Sequence, residues 1–435
     1  MFGTDGIRGR AYREVTPETA ARIGAAVVET FGCERVVVGH DPRASADDLL
    51  AGLLRGLAGT EAELLGVAPT PAVAFCCAAD GVPGVVVSAS HNLYLDNGLK
   101  IFGPGGRKLS DAEQEALAAA LRSDAEPAGL PVRSDRGAAA VRDIRGRLEG
   151  YLDAVAATVE PGALDGLRLV VDGANGSTSA LAPALLRGLG AAVRTVACEP
   201  NGRNINDGCG AASPEFIAGE TRPGEIGLAF DGDGDRVVAY DGGVIDGDRV
   251  LALCGIDRRG RGRLAGNTVV VTVMSNFGLH EALAAAGIDV VTVPVGDRHV
   301  LSALEEGGWE LGGEQSGHVV FRDLATTGDG LLTAVQLLDV AGRRGERLGD
   351  LAASAMTRWP QVLRNVVVRG DAADVLAAVA PAVESAQESL GDSGRVLVRA
   401  SGTEPLIRVM VEAAAEAEAE AVAASLAAEV GRRSG

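Results

Sequence analysis

The sequence predicts an α/β protein of several units, three of them similar mixed α/β sheets flanked by helices, followed by a small α+β unit. Three observations predict it. Apolar β-branched runs alternate with helical periodicity through most of the chain, the pattern of sheets covered by helices. The runs VVVSASHN, LVVDGANG and VVVTVMSN each pass from a buried strand into a loop of small residues, which hints at three related units. The 435 residues also exceed what one ordinary core holds.

The elements follow in order. Gly3-Thr4-Asp5-Gly6-Ile7-Arg8-Gly9 is a tightly turned loop whose one long cation is Arg8. Helix 17–30 precedes strand 35–39, helix 45–58 precedes strand 61–66, and a short helix near 70–79 precedes strand 84–88. Alternation of this kind argues a mostly parallel sheet. The apolar strand 84–88 ends in Ser88-Ala89-Ser90-His91-Asn92. Ligands of open α/β sheets bind at strand ends, so Ser90 stands where chemistry can happen; a helix or turn cap is its other reading. Strand 98–102 and helix 110–122 follow, and the polar stretch 124–142 reads as a connection.

The second unit runs from helix 143–159 through strand 167–172 and helix 179–189 to strand 226–230, which ends in Asp231-Gly232-Asp233-Gly234-Asp235-Arg236. The third carries strand 268–273, helix 277–287, strand 289–293, and the loops Gly296-Asp297-Arg298-His299, Gly312–His318 and Thr327–Gly330 before helix 331–342. The last unit is strand 361–369, helix 372–389, strands 394–399 and 405–412, and helix 413–431.

Composition narrows the function. The formal charge of −19 argues against nonspecific nucleic-acid binding, although a local arginine cluster can still hold an anionic substrate. No apolar run reaches membrane-spanning length, and no basic segment with an apolar core opens the chain. No membrane partner and a cytoplasmic location are therefore expected. Six scattered cysteines without C-x-x-C spacing argue against a zinc site or a disulfide framework. Of the 40 basic residues only Lys100 and Lys108 are lysines. A lysine can give up its proton and an arginine effectively cannot, which marks Lys100, ten residues past Ser90, as a candidate proton carrier. Neither lysine is followed by Ser or Thr, so a Walker-type phosphate loop is excluded.

Three carboxylates within five residues, Asp231, Asp233 and Asp235, repel one another unless a cation sits among them. The spacing fails as an EF-hand, because Arg236 and Gly242 stand where glycine and glutamate are needed. The preferred reading is a divalent hard cation such as Mg²⁺; a solvated acidic turn and an aspartyl-phosphate nucleophile at Asp231 remain open. Arg399-Ala400-Ser401-Gly402-Thr403 with Arg408 offers guanidinium groups, hydroxyls and loop N–H groups to one phosphate, or else is a β-turn with surface arginines. Glu314-Gln315-Ser316 between glycines suits sugar hydroxyls, and His91, His299 and His318 are read as lying in polar loops.

The loops GTDGIRG, SASHN with DNGLK, DGDGDR, GGEQSGH and RxSGTEP occur in that order from Gly3 to Arg408. This ordered set resembles the α-D-phosphohexomutase superfamily. The resemblance implies four domains around a central cleft, divided here at 1–142, 143–246, 247–358 and 359–435. It implies that Ser90 carries a phosphoryl group and that one Mg²⁺ per active site is held by that phosphate and by Asp231, Asp233 and Asp235. Arg8, Lys100 and His91 would serve the reacting phosphoryl group, with Lys100 the candidate acid/base. Arg236, Glu314, Ser316, His318, Asp297 and Arg298 would contact the sugar phosphate. Arg399, Ser401, Gly402, Thr403 and Arg408 would hold the phosphate that is not transferred. Gln315 stands where mannose- and glucose-phosphate relatives more often carry methionine, and looks like the glucosamine branch. The implied reaction interconverts α-D-glucosamine 6-phosphate and 1-phosphate through glucosamine 1,6-bisphosphate, toward UDP-N-acetylglucosamine. A mannose- or glucose-phosphate mutase and a non-catalytic phosphosugar-binding protein are the alternatives. Leu93 departs from the family's usual proline and predicts a looser serine loop. Oligomeric state is open between monomer and homodimer.

Overall fold

The computed structural model describes residues 2–3, 6–122, 139–401 and 406–434. The chain forms two compact units, one of residues 1–274 with 287–355, the other of 275–286 with 356–435.

The larger unit holds three sheets. The first contains β1 (Phe2–Gly3), β2 (Gly6–Arg10), β3 (Arg35–His40), β4 (Glu61–Val67), β5 (Gly84–Val87), β6 (Asp96–Phe102) and β7 (Ala140–Asp143), in the order β1-β2-β6-β5-β3-β4-β7. The second contains β8 (Arg168–Asp172), β9 (Ala192–Val196), β10 (Ile226–Phe230), β11 (Val237–Tyr240) and β12 (Val244–Ile245), in the order β12-β11-β10-β8-β9. The third contains β13 (Thr268–Thr272), β14 (Asp289–Val293), β15 (Leu311–Gly313) and β16 (Val319–Phe321), in the order β14-β13-β15-β16.

One four-strand motif recurs in all three. β6-β5-β3-β4, β11-β10-β8-β9 and β16-β15-β13-β14 each have one antiparallel pair followed by two parallel pairs. The similarity expected of the three units is therefore present, but in a different phase. VVVSASHN belongs to β5, whereas LVVDGANG and VVVTVMSN begin in β8 and β13, the counterparts of β3. Buried valine runs look alike, and periodicity alone cannot number them. The sheets are mixed, as the predicted fold class has them, and the antiparallel pairs have a local reason. No crossover helix lies between β5 and β6, β10 and β11, or β15 and β16, so each pair must return antiparallel. Those three tight returns are the serine, aspartate and Glu-Gln-Ser loops.

Local chemistry explains the helices. Thr16 accepts a hydrogen bond from the Thr19 amide, Pro17 opens the helix Pro17–Phe31, and Gly32 closes it in the left-handed region. Asp329 caps Gly330–Arg344 by accepting from the Leu332 amide. Residues 124–138 of the expected connection lie outside the described residues. Its last part is not a connection, because β7 pairs with β4 in parallel. The following helix accordingly starts at Arg147 rather than 143. The stretch 296–299 is likewise the start of helix Asp297–Gly307, so His299 is helical rather than in a loop.

The smaller unit is an antiparallel sheet in the order β17-β19-β18, with β17 (Gln361–Val367), β18 (Gly394–Ala400) and β19 (Leu406–Ala413). Helices Ala372–Leu390 and Glu416–Arg433 close its core, with Val375, Val379, Ala419, Ala423 and Leu426 packed against Ile407, Val409 and Val411. Helix Phe277–Ala285 joins this unit through Asn276, which donates to Trp359 O at 3.0 Å and to the buried Glu412 at 2.9 Å.

Candidate active site

The serine and aspartate loops meet. Ser90 is fully buried and its φ of 52° lies in the left-handed region. A non-glycine residue is uncommon there, and strain of this kind gathers at functional sites. Its hydroxyl donates to Asp231 Oδ2 at 2.6 Å, and His91 Nδ1 is 3.4 Å from Oγ. Gly232 explains the glycine between the aspartates, since a Cβ there would lie 2.7 Å from Ser90 O.

Asp231, Asp233 and Asp235 offer one carboxylate oxygen each within 4.8 Å of one another, all buried. Asp233 Oδ1 and Asp235 Oδ1 are buried without a hydrogen-bond partner. Two oxygens on one Mg²⁺ stand at most about 4.2 Å apart, so slight closing brings all three onto a single ion. Orphaned acceptors, hard oxygen donors and spacing therefore fit a divalent cation.

Burial, then Asp235 and Asp233, pushes the Asp231 carboxyl up to about 8. Burial also pushes Asp235 up, but Lys100, His318 and Arg236 outweigh it and hold that carboxyl well below its usual range. Lys100, almost fully buried, places Nζ 2.7 Å from Asp233 Oδ2 and 2.7 Å from Asp235 Oδ2. Arg8 pairs with Gly98 across β2 and β6, which puts it on the face of Lys100. Burial lowers His91 to about 4, with Arg236 and Arg8 adding to the effect, so the ring is neutral near pH 7 and accepts from Arg236 Nη1 at 3.1 Å.

The third sheet also contributes, through His318. His318 is buried with Nδ1 3.7 Å from Asp235 Oδ1 and Nε2 4.0 Å from Asp297 Oδ2. Burial lowers its pKa, yet Asp235 and Asp297 more than compensate and the net shift is upward. Gly328 makes room for this ring, because a Cβ there would sit 2.3 Å from Nε2. Glu314 accepts from the Gly296 amide at 2.9 Å and from Ser316 Oγ at 3.3 Å, with Ser316 exposed. Arg298 turns elsewhere, to Gln114 at 2.9 Å and to Asp111.

In the smaller unit Arg399 and Arg408 stand opposite each other in the β18–β19 ladder. Burial and then the Arg408 charge lower the Arg399 pKa. Like charges directly across a sheet are destabilising, and an anion is what would offset them. Ser401 N donates to Leu406 O at 2.9 Å; Gly402 and Thr403 lie outside the described residues.

Several residues beside the loops were not anticipated. Thr70 Oγ1 donates to Asp233 Oδ2 at 2.5 Å, Asn206 Nδ2 donates to Ser90 O at 2.8 Å, and Arg43 wraps the serine loop. Nothing in their local sequence announces these contacts. Lys108 is different. It pairs with Asp297 at 2.8 Å, and the scarcity of lysine that marked Lys100 marks it equally. A cavity of about 700 Å³ beside Asn175, Arg187 and Cys198 includes none of the candidate residues, so charge and hydrogen bonding, not cavity size, locate the site.

Four phosphoglucomutase/phosphomannomutase family models match the chain: α/β/α domain I at 1–128, domain II at 149–243, domain III at 246–359 and the C-terminal domain at 363–429. A phosphoglucosamine mutase of Frankia alni is 48% identical over 99% of this chain and 98% of the relative. One of Rhodococcus jostii is 47% identical over 95% of each. Among solved structures, a Burkholderia thailandensis phosphoglucomutase/phosphomannomutase family protein superposes with TM-score 0.80 at 24% identity, covering 99% of this chain and 97% of the other. Aspergillus fumigatus N-acetylphosphoglucosamine mutase, solved with GlcNAc-6P and magnesium, does so at 0.73 and 19%, covering 100% and 96%. The two structures speak for the fold, and the relatives carry the family. The chain belongs to the phosphoglucosamine mutases of the phosphohexomutase superfamily.

Proposed function

We propose that this chain interconverts α-D-glucosamine 6-phosphate and α-D-glucosamine 1-phosphate, with Ser90 as the phosphoryl carrier. The observation that carries the proposal is the strained, buried Ser90 whose Oγ lies 2.6 Å from a carboxylate of the aspartate triad. Phosphoserine 90 gives its phosphoryl group to the free sugar hydroxyl. The Ser90 Oγ–P bond breaks, a sugar O–P bond forms, and the proton lost by the sugar hydroxyl is balanced by one gained at Ser90 Oγ, with the Lys100 ammonium the candidate acid that gives it. The product is glucosamine 1,6-bisphosphate. It then returns the phosphate from its other end to Ser90 Oγ.

Asp231, Asp233 and Asp235 would hold Mg²⁺, which when bound neutralises charge developing on the phosphoryl oxygens. Before that, Asp231 accepts the Ser90 hydroxyl and fixes its direction. Neutral His91 accepts from Arg236 and so holds that guanidinium next to the serine loop, and Arg8 and Arg236 supply positive charge. We propose Glu314, Ser316, His318, Asp297 and Arg298 as the sugar-facing set, with Arg298 having to release Asp111 to join it. Arg399, Ser401, Gly402, Thr403 and Arg408 are proposed to take the phosphate that stays in place. The four-domain division at 142, 246 and 358 is proposed on the same basis. Side-by-side kcat/KM on glucosamine, glucose and mannose phosphates tests the substrate; preference for glucose or mannose phosphate would reassign it.

A further inference from the structure

The serine loop is wound around one side chain. Arg43 is fully buried, and all five of its guanidinium N–H groups have acceptors. Nε donates to Asp41 Oδ2 at 2.9 Å. Nη1 donates to Leu93 O at 2.5 Å and Asp96 O at 3.1 Å. Nη2 donates to Ser90 O at 2.8 Å and Asn92 O at 2.7 Å. Four of the five acceptors are therefore backbone carbonyls, three in the loop that carries the serine and one at Asp96, where β6 begins. Asp41 completes the frame: it accepts from Ser88 Oγ at 2.5 Å, and that hydroxyl accepts from the Ser90 amide at 2.9 Å. Ser90 is thus gripped at its N–H and its C=O through one ion pair.

We propose that Arg43 is a positioning residue for phosphoryl transfer: its planar guanidinium is the template that holds residues 90–96 so that Ser90 keeps its left-handed backbone and aims Oγ at the aspartate triad. The inference rests on Ser90 being the phosphoryl carrier. A left-handed serine turns its carbonyl away from any ladder partner, and a buried carbonyl needs a donor. Arg43 supplies it, with Asn206 donating to the same Ser90 O at 2.8 Å and to Asn92 O at 3.0 Å. The arrangement also answers the departure at Leu93. Where proline would fix φ covalently, the Leu93 carbonyl is tied to Arg43 and its side chain is half exposed. Lysine cannot substitute, because a point charge with three donors cannot reach carbonyls spread over a planar fork.

The experiment compares Arg43→Lys, Asn206→Ala and Ser90→Ala in steady-state and single-turnover assays with glucosamine 6-phosphate, below every variant's melting temperature. Misplacing a reacting group by about 1 Å costs about 10²-fold in rate. Arg43→Lys is expected to lower kcat and the single-turnover transfer rate by about that factor, with KM changed by less than about threefold. Asn206→Ala should give a smaller loss of the same kind, and the Arg43→Lys/Asn206→Ala double variant should fall short of the product of the two losses, because both side chains hold the Ser90 and Asn92 carbonyls. A kcat within about twofold of wild type for Arg43→Lys, with Ser90→Ala inactive, overturns the positioning role and leaves the carrier intact. A loss confined to KM or to melting temperature overturns it too. An active Ser90→Ala removes both readings.

Discussion

Replacing Lys100 by methionine tests the charge balance at the centre of the site. The side chains have similar length, so the change removes an ammonium and little else. Nζ lies 2.7 Å from a carboxylate oxygen of Asp233 and 2.7 Å from one of Asp235, in a region closed to water. Removing one partner of a buried ion pair costs about 3–5 kcal/mol, because the other charge stays buried. Here Asp233 and Asp235 lose the ammonium they share, while Asp235 keeps Arg236 and His318, so that range applies to the metal-free chain. A divalent cation draws on the same carboxylates as the ammonium. Saturating a site at one hundred times Kd returns about 2.7 kcal/mol. The variant should therefore melt well below wild type in EDTA, and Mg²⁺ should raise its Tm more than it raises that of wild type. In Mg²⁺ the variant should regain most of its stability but not its turnover, since loss of a general acid/base costs about 10²–10⁴-fold. Thermal melts with and without Mg²⁺, alongside kcat, read both effects. An equal Tm deficit in EDTA and in Mg²⁺ would refute the shared-carboxylate reasoning. Full activity would remove Lys100 from proton transfer.

Two further outcomes follow from the same geometry. Asp231 titrates at about 8 in the folded chain against an ordinary 3.8, so the folded state holds this proton more tightly than the unfolded one. The stability it contributes is fully present below about 3.8 and is lost as pH rises through about 8. Metal-free stability should fall over that window, and Mg²⁺ affinity should rise with pH up to about 8, because binding must release the proton; pH-independent affinity in titration calorimetry would contradict this. Arg408→Gln should raise KM for the phosphosugar, with one charge-assisted contact worth about 1.5–3 kcal/mol. An unchanged KM would return the Arg399–Arg408 pair to a structural role.

The candidate site was largely legible in the sequence because its residues sit in loops, where small and polar residues interrupt apolar strands. Ser90, the three aspartates and His318 do come together, and the glycines around them are explained by close approach at Gly232 and Gly328. What supports the loops was not legible. Arg43 and Asp41 sit far from Ser90 in sequence, and their role depends on β3 lying next to β5, a fact of topology rather than pattern. The same limit misnumbered the repeat: valine runs identify buried strands but not their place in a sheet. Strand β7 and the helix Asp297–Gly307 were missed because β7 is an exposed edge and the helix begins at Asp297, inside a Gly-Asp-Arg-His sequence that reads as a loop.

The account turns on where the phosphoryl group rests. The purified enzyme is incubated with glucosamine 1,6-bisphosphate, quenched in acid, digested and mapped by mass spectrometry. The account predicts phosphate on the peptide containing Ser90, stable to hydroxylamine and lost again on incubation with excess glucosamine 6-phosphate. Phosphate found on Asp231 and released by hydroxylamine, or turnover with no phosphorylated peptide at all, would contradict it.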